Sequence, residues 1–111
     1  MKLRTLLVGG LFTSIFAVPV FSADAPSVFA QQCAMCHGPA GAGVPQLAPP
    51  LKGSEFIANA SDEEITAVIR HGRAGPQKRY TDFPSVMPPF PNLSDEELAE
   101  LAKYVRQLSE G

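Results

Sequence analysis

Residues 33–37 read Cys33-Ala34-Met35-Cys36-His37, two thiols separated by two residues and followed at once by an imidazole. On a helix, Cys33 and Cys36 stand i and i+3, so both sulfurs reach one side, and His37, i+4 from Cys33, shares it. One helical turn can thus present two thiols and a nitrogen to the same flat group. This is the pattern of covalent haem attachment, in which Cys33 and Cys36 bond to the porphyrin and His37 ligates the iron. Zinc would need further Cys or His nearby, and a redox dithiol belongs in a βαβ unit; the sequence has neither context. A disulfide across two residues of a helix would be strained and would leave the adjacent histidine unexplained.

Upstream lie Lys2 and Arg4, an uncharged apolar run from Thr5 to Phe21, then Ser22, Ala23 and Asp24. Residues 1–22 therefore read as a secretory signal peptide with cleavage after Ser22 or Ala23, leaving residues 23–111 as one domain. An uncleaved membrane anchor is the alternative, since the run approaches the length of a thin bilayer. Gly9, Gly10, Pro19 and the small-residue exit favour removal, which implies a periplasmic location. Taking Lys2 and Arg4 from the 9 basic side chains leaves 7 against 11 acidic ones, a formal charge of −4 over 89 residues. Such a chain has no overall charge for nucleic acid, and its partners are expected to bring a basic face. A domain this small has a marginal apolar core without a buried group bonded to it.

Downstream, Asp24-Ala25-Pro26-Ser27 reads as a helix start. Val28, Phe29, Gln32, Cys33 and Cys36 follow at helical spacing, and Gly38 and Pro39 end the helix. Residues 38–60 hold four glycines and four prolines, with no amphipathic period, and are expected to form a loop packed on the haem. Within it, Pro49-Pro50-Leu51-Lys52-Gly53 can bring a backbone carbonyl to His37 Nδ1. Ser61-Asp62-Glu63-Glu64 is a capping box before Ile65, Val68 and Ile69, with Gly72 as the stop. Residues 73–93, with prolines at 76, 84, 88, 89 and 91, exclude a regular helix or central strand. Ser94-Asp95-Glu96-Glu97 is a second capping box, followed by Leu98, Leu101, Ala102, Val105 and Leu108 on one stripe. Tyr104 on this last helix is placed to meet Phe29.

What fills the second face of the iron decides between electron transfer and ligand chemistry. Met87, on the proline-stiffened loop Ser85-Val86-Met87-Pro88-Pro89, is the candidate, its soft thioether suiting low-spin iron. The alternatives are His71, at a helix end beside Arg70 and Arg73, and an open site. Met35 is poorly aimed, and Met1 leaves with the signal.

These residues resemble the small class I cytochromes c of bacterial periplasms, over about Ala25 to Leu108. The resemblance is carried by Cys33 to His37, Pro49-x-Leu51-x-Gly53, the Met87-Pro88 loop and Leu101-x-x-Tyr104-Val105. It implies an all-α class I cytochrome c fold, three to four short helices with long Gly/Pro-rich loops around one covalent haem c. It also implies thioethers at Cys33 and Cys36, axial ligands His37 and Met87, a Pro49 carbonyl that orients His37, and Leu51 packed on the porphyrin. Ala25 departs from the glycine many members have there, so the crossing of first and last helices is expected to be slightly wider.

A haem with both axial positions filled binds no small-molecule substrate, so the expected role is a one-electron shuttle and not an enzyme. Donor and acceptor would be redox proteins, a dehydrogenase or quinol-oxidising complex on one side and a terminal oxidase or reductase on the other. They would dock at a haem edge framed by Ala40, Ala42, Val44, Pro45, Pro88, Pro89 and Phe90. Membrane association would come only through a membrane-bound partner or an uncleaved signal. Arg70, Arg73, Lys78 and Arg79 form a basic stretch read either as solvated or, with Tyr80, as neutralising propionates or rimming the docking face. Two other roles stay open: a fixed subunit of a dehydrogenase or oxidase complex, and a haem enzyme or gas sensor with a labile sixth ligand.

Overall fold

In a computed structural model, which describes Gly9, Gly10 and residues 24–111, the two capping boxes form as their residues dictate. Ser61 Oγ accepts from the Glu64 amide at 3.1 Å while Glu64 returns a carboxylate oxygen to the Ser61 amide at 2.8 Å. Ser94 and Glu97 repeat the exchange, both bonds at 3.1 Å. Each box satisfies two amides that a helix start leaves open, and each cap contributes about 1 kcal/mol. They start the two best-defined helices, labelled by chain order α4 (Asp62–His71) and α5 (Asp95–Glu110). The other helices are α1 (Ala25–Gln32), α2 (Ala34–His37) and α3 (Glu55–Asn59), with a 3-10 turn at Gly75–Gln77. Among the described residues there is no strand, only two isolated bridges, Val44 with Ala48 and Arg73 with Met87.

The apolar stripes meet in one core. Phe29 from α1 and Leu98 and Leu101 from α5 are almost wholly buried, with Val28, Ile65, Ile69 and Ala102 around them. Burial of each large side chain contributes about 1.5–3 kcal/mol. The expected meeting of Phe29 and Tyr104 is present as an edge-to-face pair, ring centroids 5.5 Å apart and planes at 73°. Asp24 starts α1, its carboxylate accepting from the Ser27 amide at 2.8 Å. Two pairs of charges hold α4 against α5, Arg70 with Asp95 at one end and Arg106 with Asp62 at the other.

Two local expectations differ. The first helix does not run unbroken through the pentapeptide: Cys33, at φ −117°, ends α1 with its amide on the Phe29 carbonyl and starts the separate turn α2. Cys33 keeps a helical ψ of −34° while its φ is widened, so the periodic pattern carries across a break it does not record. Second, residues 38–60 are not all loop, because Ser54 caps the Ile57 amide at 3.3 Å and starts α3. Five residues are too few to show a period. Residues 73–93 form no regular α-helix or strand, as expected, and the isolated bridge of Arg73 with Met87 gives the segment a paired base. The expected signal peptide and its cleavage after Ser22 or Ala23 lie outside the described residues.

Candidate functional site

Gly38, the cap of α2, turns the chain back under His37, and the Gly43 amide donates to the His37 carbonyl at 2.7 Å. The loop 38–51 thereby closes beneath the imidazole. Its far end is fixed by the Leu51 amide on the Gly41 carbonyl at 2.8 Å. This brings Pro49 and Leu51 into the wall of a cleft shared with Cys33, Cys36 and His37. The lining is completed by α4, through Ile65 and Ile69, and by the loop bearing Met87 and Phe90. The open space, counting its mouth, is about 1260 Å³.

His37 sits with Nδ1 buried and without a hydrogen-bond partner. Burial holds the imidazole below its ordinary pKa, and the Pro49 carbonyl, facing the ring short of hydrogen-bond geometry, pulls it back toward that value. A buried ring nitrogen beside a carbonyl is the arrangement that orients a ligating imidazole, leaving Nε2 for the cleft. Cys33 and Cys36 are unpaired thiols, both half-buried. Burial pushes the Cys33 thiol up, the neighbouring Cys36 adding to the shift.

Met87 is half-buried and lines the cleft. Its amide donates to the Arg73 carbonyl at 3.0 Å and its carbonyl accepts from the Arg73 amide at 2.9 Å. The competing sixth-ligand candidate, His71, is exposed at the end of α4 and does not line the cleft. Met35 points away, 81% exposed. The basic stretch divides. Arg70 pairs with Asp95, whereas Arg73, Lys78, Arg79 and Tyr80 line the cleft. Arg73 and Arg79 stack on the Phe56 ring, 4.7 and 5.5 Å from its centroid, and Lys78 donates to the Phe83 carbonyl. Of the residues expected around a haem edge, Pro88 and Phe90 line the cleft; Ala40, Ala42, Val44, Pro45 and Pro89 do not.

Sequence reasoning missed Phe56, Leu47 and Val86, which line the cleft, the last two as exposed apolar side chains at 39% and 52%. Phe56 had a signal in Ser54-Glu55, a helix cap just ahead of it. Leu47 and Val86 belong to no periodic pattern.

A family model described as cytochrome c oxidase, cbb3-type, subunit III matches residues 22–105. The cytochrome c subunit of the quinone alcohol dehydrogenase of Gluconacetobacter polyoxogenes is 27% identical over 86 residues, 77% of this chain and 18% of that protein. Cytochrome c-552 of Thermus thermophilus is 33% identical over 104 residues, 90% of this chain and 65% of that protein. Among solved structures, the KustC0563 c-type cytochrome superposes with a TM-score of 0.60 at 27% identity, covering 79% of this chain and all of that one. The chain thus spans less than a fifth of the alcohol dehydrogenase subunit it matches. These comparisons indicate covalently bound haem c. The cleft fits it by the chemistry of its donors: two free thiols, an imidazole with its second nitrogen buried and a thioether, set in an apolar wall.

Proposed function

The chain belongs to the cytochrome c family, and from that premise we propose that it is a periplasmic one-electron carrier in which His37 and Met87 would hold the iron of its haem. The observation that supports this reading is the cleft itself, whose lining includes both His37 and Met87. When bound, haem c supplies a reversible one-electron change at its iron. Cys33 and Cys36 would hold the group covalently, which would keep it from being lost outside the cytoplasm. Pro49 would orient the His37 ring, Leu51 would pack against the group, and the Met87 thioether would share the iron with His37 and exclude substrates. The apolar lining keeps water from the site, which together with a thioether ligand favours the reduced state.

Exchange with donor and acceptor proteins would take place at the cleft mouth, where Leu47 and Val86 add apolar surface to Pro88 and Phe90. A small patch of this kind suits brief encounters. Arg73, Lys78 and Arg79 offer the positive charge that ionised propionates require. Residues 1–22 would be removed as a signal on export, which N-terminal sequencing of the exported protein tests. Mature chains beginning at Met1 would refute it.

The deciding experiment is the visible spectrum of purified holoprotein in both redox states, with Met87→Ala beside it. The expected result is a weak iron–thioether band at the red end of the ferric spectrum, lost in the variant, and slow carbon monoxide binding by the reduced wild type. Rapid carbon monoxide binding by the wild type would overturn the carrier reading. A second reading, a fixed subunit of a larger dehydrogenase or oxidase complex, is favoured by the similarity to the cytochrome c subunit of a quinone alcohol dehydrogenase. Stable co-purification with a dehydrogenase or oxidase would establish it over a free shuttle.

A further inference from the structure

The same backbone device closes the chain on both walls of the cleft. In its first use Gly43 precedes Val44, and Val44 and Ala48 exchange two amide–carbonyl bonds of 3.1 Å. Pro49 and Pro50 follow without donors, and the Leu51 amide is anchored on Gly41 at 2.8 Å. In its second, Gly72 precedes Arg73, and Arg73 and Met87 exchange bonds of 2.9 and 3.0 Å. Pro88 and Pro89 follow without donors, and the Phe90 amide is shared between the Ile69 and Arg70 carbonyls at 3.2 and 3.1 Å. In each case the glycine lies against the paired prolines. A Cβ on Gly43 would stand 2.7 Å from Pro50 N and 2.9 Å from Pro49 C. On Gly72 it would fall on the Met87 carbonyl oxygen, 2.8 Å from Pro88 C and 2.9 Å from Pro89 N. Gly72 also sits at φ 69° and ψ −171°, a region essentially confined to glycine.

We propose that Gly72 is a positioning residue for Met87: its bare α-carbon lets the Met87-Pro88-Pro89 backbone close on the end of α4, and that closure seats the thioether. The proposal rests on the reading of Met87 as the sixth ligand. Any side chain at position 72 pushes the Met87 carbonyl outward and breaks its bonds to Arg73. Because Pro88 and Pro89 have no amides, neither of the two positions after Met87 offers a donor with which to re-form them. The thioether then leaves the cleft with its backbone, and the second face opens to competing ligands.

The test compares wild-type holoprotein with Gly72→Ala, Gly75→Ala and Met87→Ala. Gly75 lies in the same segment at φ 53° with nothing within 4 Å of an added Cβ, so its variant carries backbone cost without the collision. Wild type and Gly75→Ala should keep the iron–thioether band. Gly72→Ala should lose it, and should bind added imidazole on the order of tenfold more tightly, because a competitor's apparent affinity rises with the open fraction. Far-UV circular dichroism should show its helices retained. A Gly72→Ala protein matching Gly75→Ala in band and imidazole affinity overturns the proposal. A wild type without the band, or Met87→Ala with it, overturns the ligand reading instead. Should Gly72→Ala yield no folded holoprotein, hydrogen exchange on the wild type decides. Saturating imidazole should then expose the Arg73 and Met87 amides while sparing Leu98 and Leu101. Unchanged protection at Arg73 and Met87 overturns the proposal.

Discussion

Replacing Arg106 with alanine should cost more stability than any other single surface change in this domain. Its guanidinium donates through Nε to Asp62 at 2.8 Å, through Nη1 to the Ile57 carbonyl at 2.8 Å, and through Nη2 to the Ala60 carbonyl. The two carbonyls lie at the open end of α3, where a helix leaves acceptors unsatisfied. Asp62 is 55% exposed, so the ion pair itself contributes at most about 1 kcal/mol. A charged donor on a carbonyl contributes about 1.5 kcal/mol or more where water is excluded, and less at the 30% exposure of this side chain. The sum is about 2–3 kcal/mol, a large part of the total for a domain of this size. Denaturant unfolding of the holoprotein, followed by far-UV circular dichroism, would measure it in Arg106→Ala, Arg106→Lys and Asp62→Ala. Lysine should restore under half, because a single ammonium cannot reach acceptors in three directions. Asp62→Ala should cost less than about 1 kcal/mol. If Asp62→Ala matches Arg106→Ala, the ion pair carries the effect and the helix-end account is wrong.

Hydrogen bonds from Ser27, its hydroxyl and its amide, hold the Asp24 carboxyl below the ordinary carboxylate range. A depressed folded pKa contributes stability above the unfolded value and loses it as pH falls through the folded one. The difference in melting temperature between wild type and Asp24→Ala should therefore be constant from neutrality to about pH 4 and shrink below it; growth on acidification would contradict the cap. Gly43→Ala should drive the Pro49 carbonyl from His37. It should shift the His37 ring-proton resonances and the midpoint potential while the iron–thioether band persists, and unchanged resonances would count against the proposed packing. A Cys33→Ala, Cys36→Ala double variant made without haem should be largely unfolded, since the cleft walls are apolar and the core they belong to is small. Native helix content by circular dichroism would refute that.

Much of the frame could be read from residues alone. The capping boxes at Ser61 and Ser94 and the stripe from Leu98 to Val105 follow from local rules that repeat along a helix, and the pairing of Phe29 with Tyr104 from the expected crossing of the first and last helices. The break at Cys33 did not, because a change in one φ angle leaves the periodicity of its neighbours intact. Neither did α3, whose five residues carry a cap but no period. The basic stretch read as one charged run. Its members separate because Arg70 ends α4 opposite Asp95, whereas Arg73 and Arg79 come after the turn and fold over Phe56. Gly72 read as a helix stop, which it is. Its second task depends on backbone from Met87 to Pro89, a contact that no local pattern encodes.

The two clamps are alike in chemistry and unlike in reach, and the difference bears on how the domain opens. Val44 and Ala48 are four positions apart, and Arg73 and Met87 fourteen. Closing the longer loop costs about 1 kcal/mol more in chain entropy. The short loop also has the His37 carbonyl bound to the Gly43 amide, so it is tied to the helix turn that carries its ligand. Met87 sits instead at the far end of its segment, and the bonds of Arg73, Met87 and Phe90 hold it to α4. Thermal opening should thus begin on the Met87 side, with His37 and its loop still closed. With His37 and Met87 as the proposed ligands, an electron carrier would gain by that order, because a thioether that detached first could return to an iron the imidazole still held, whereas loss of the imidazole would free the whole face.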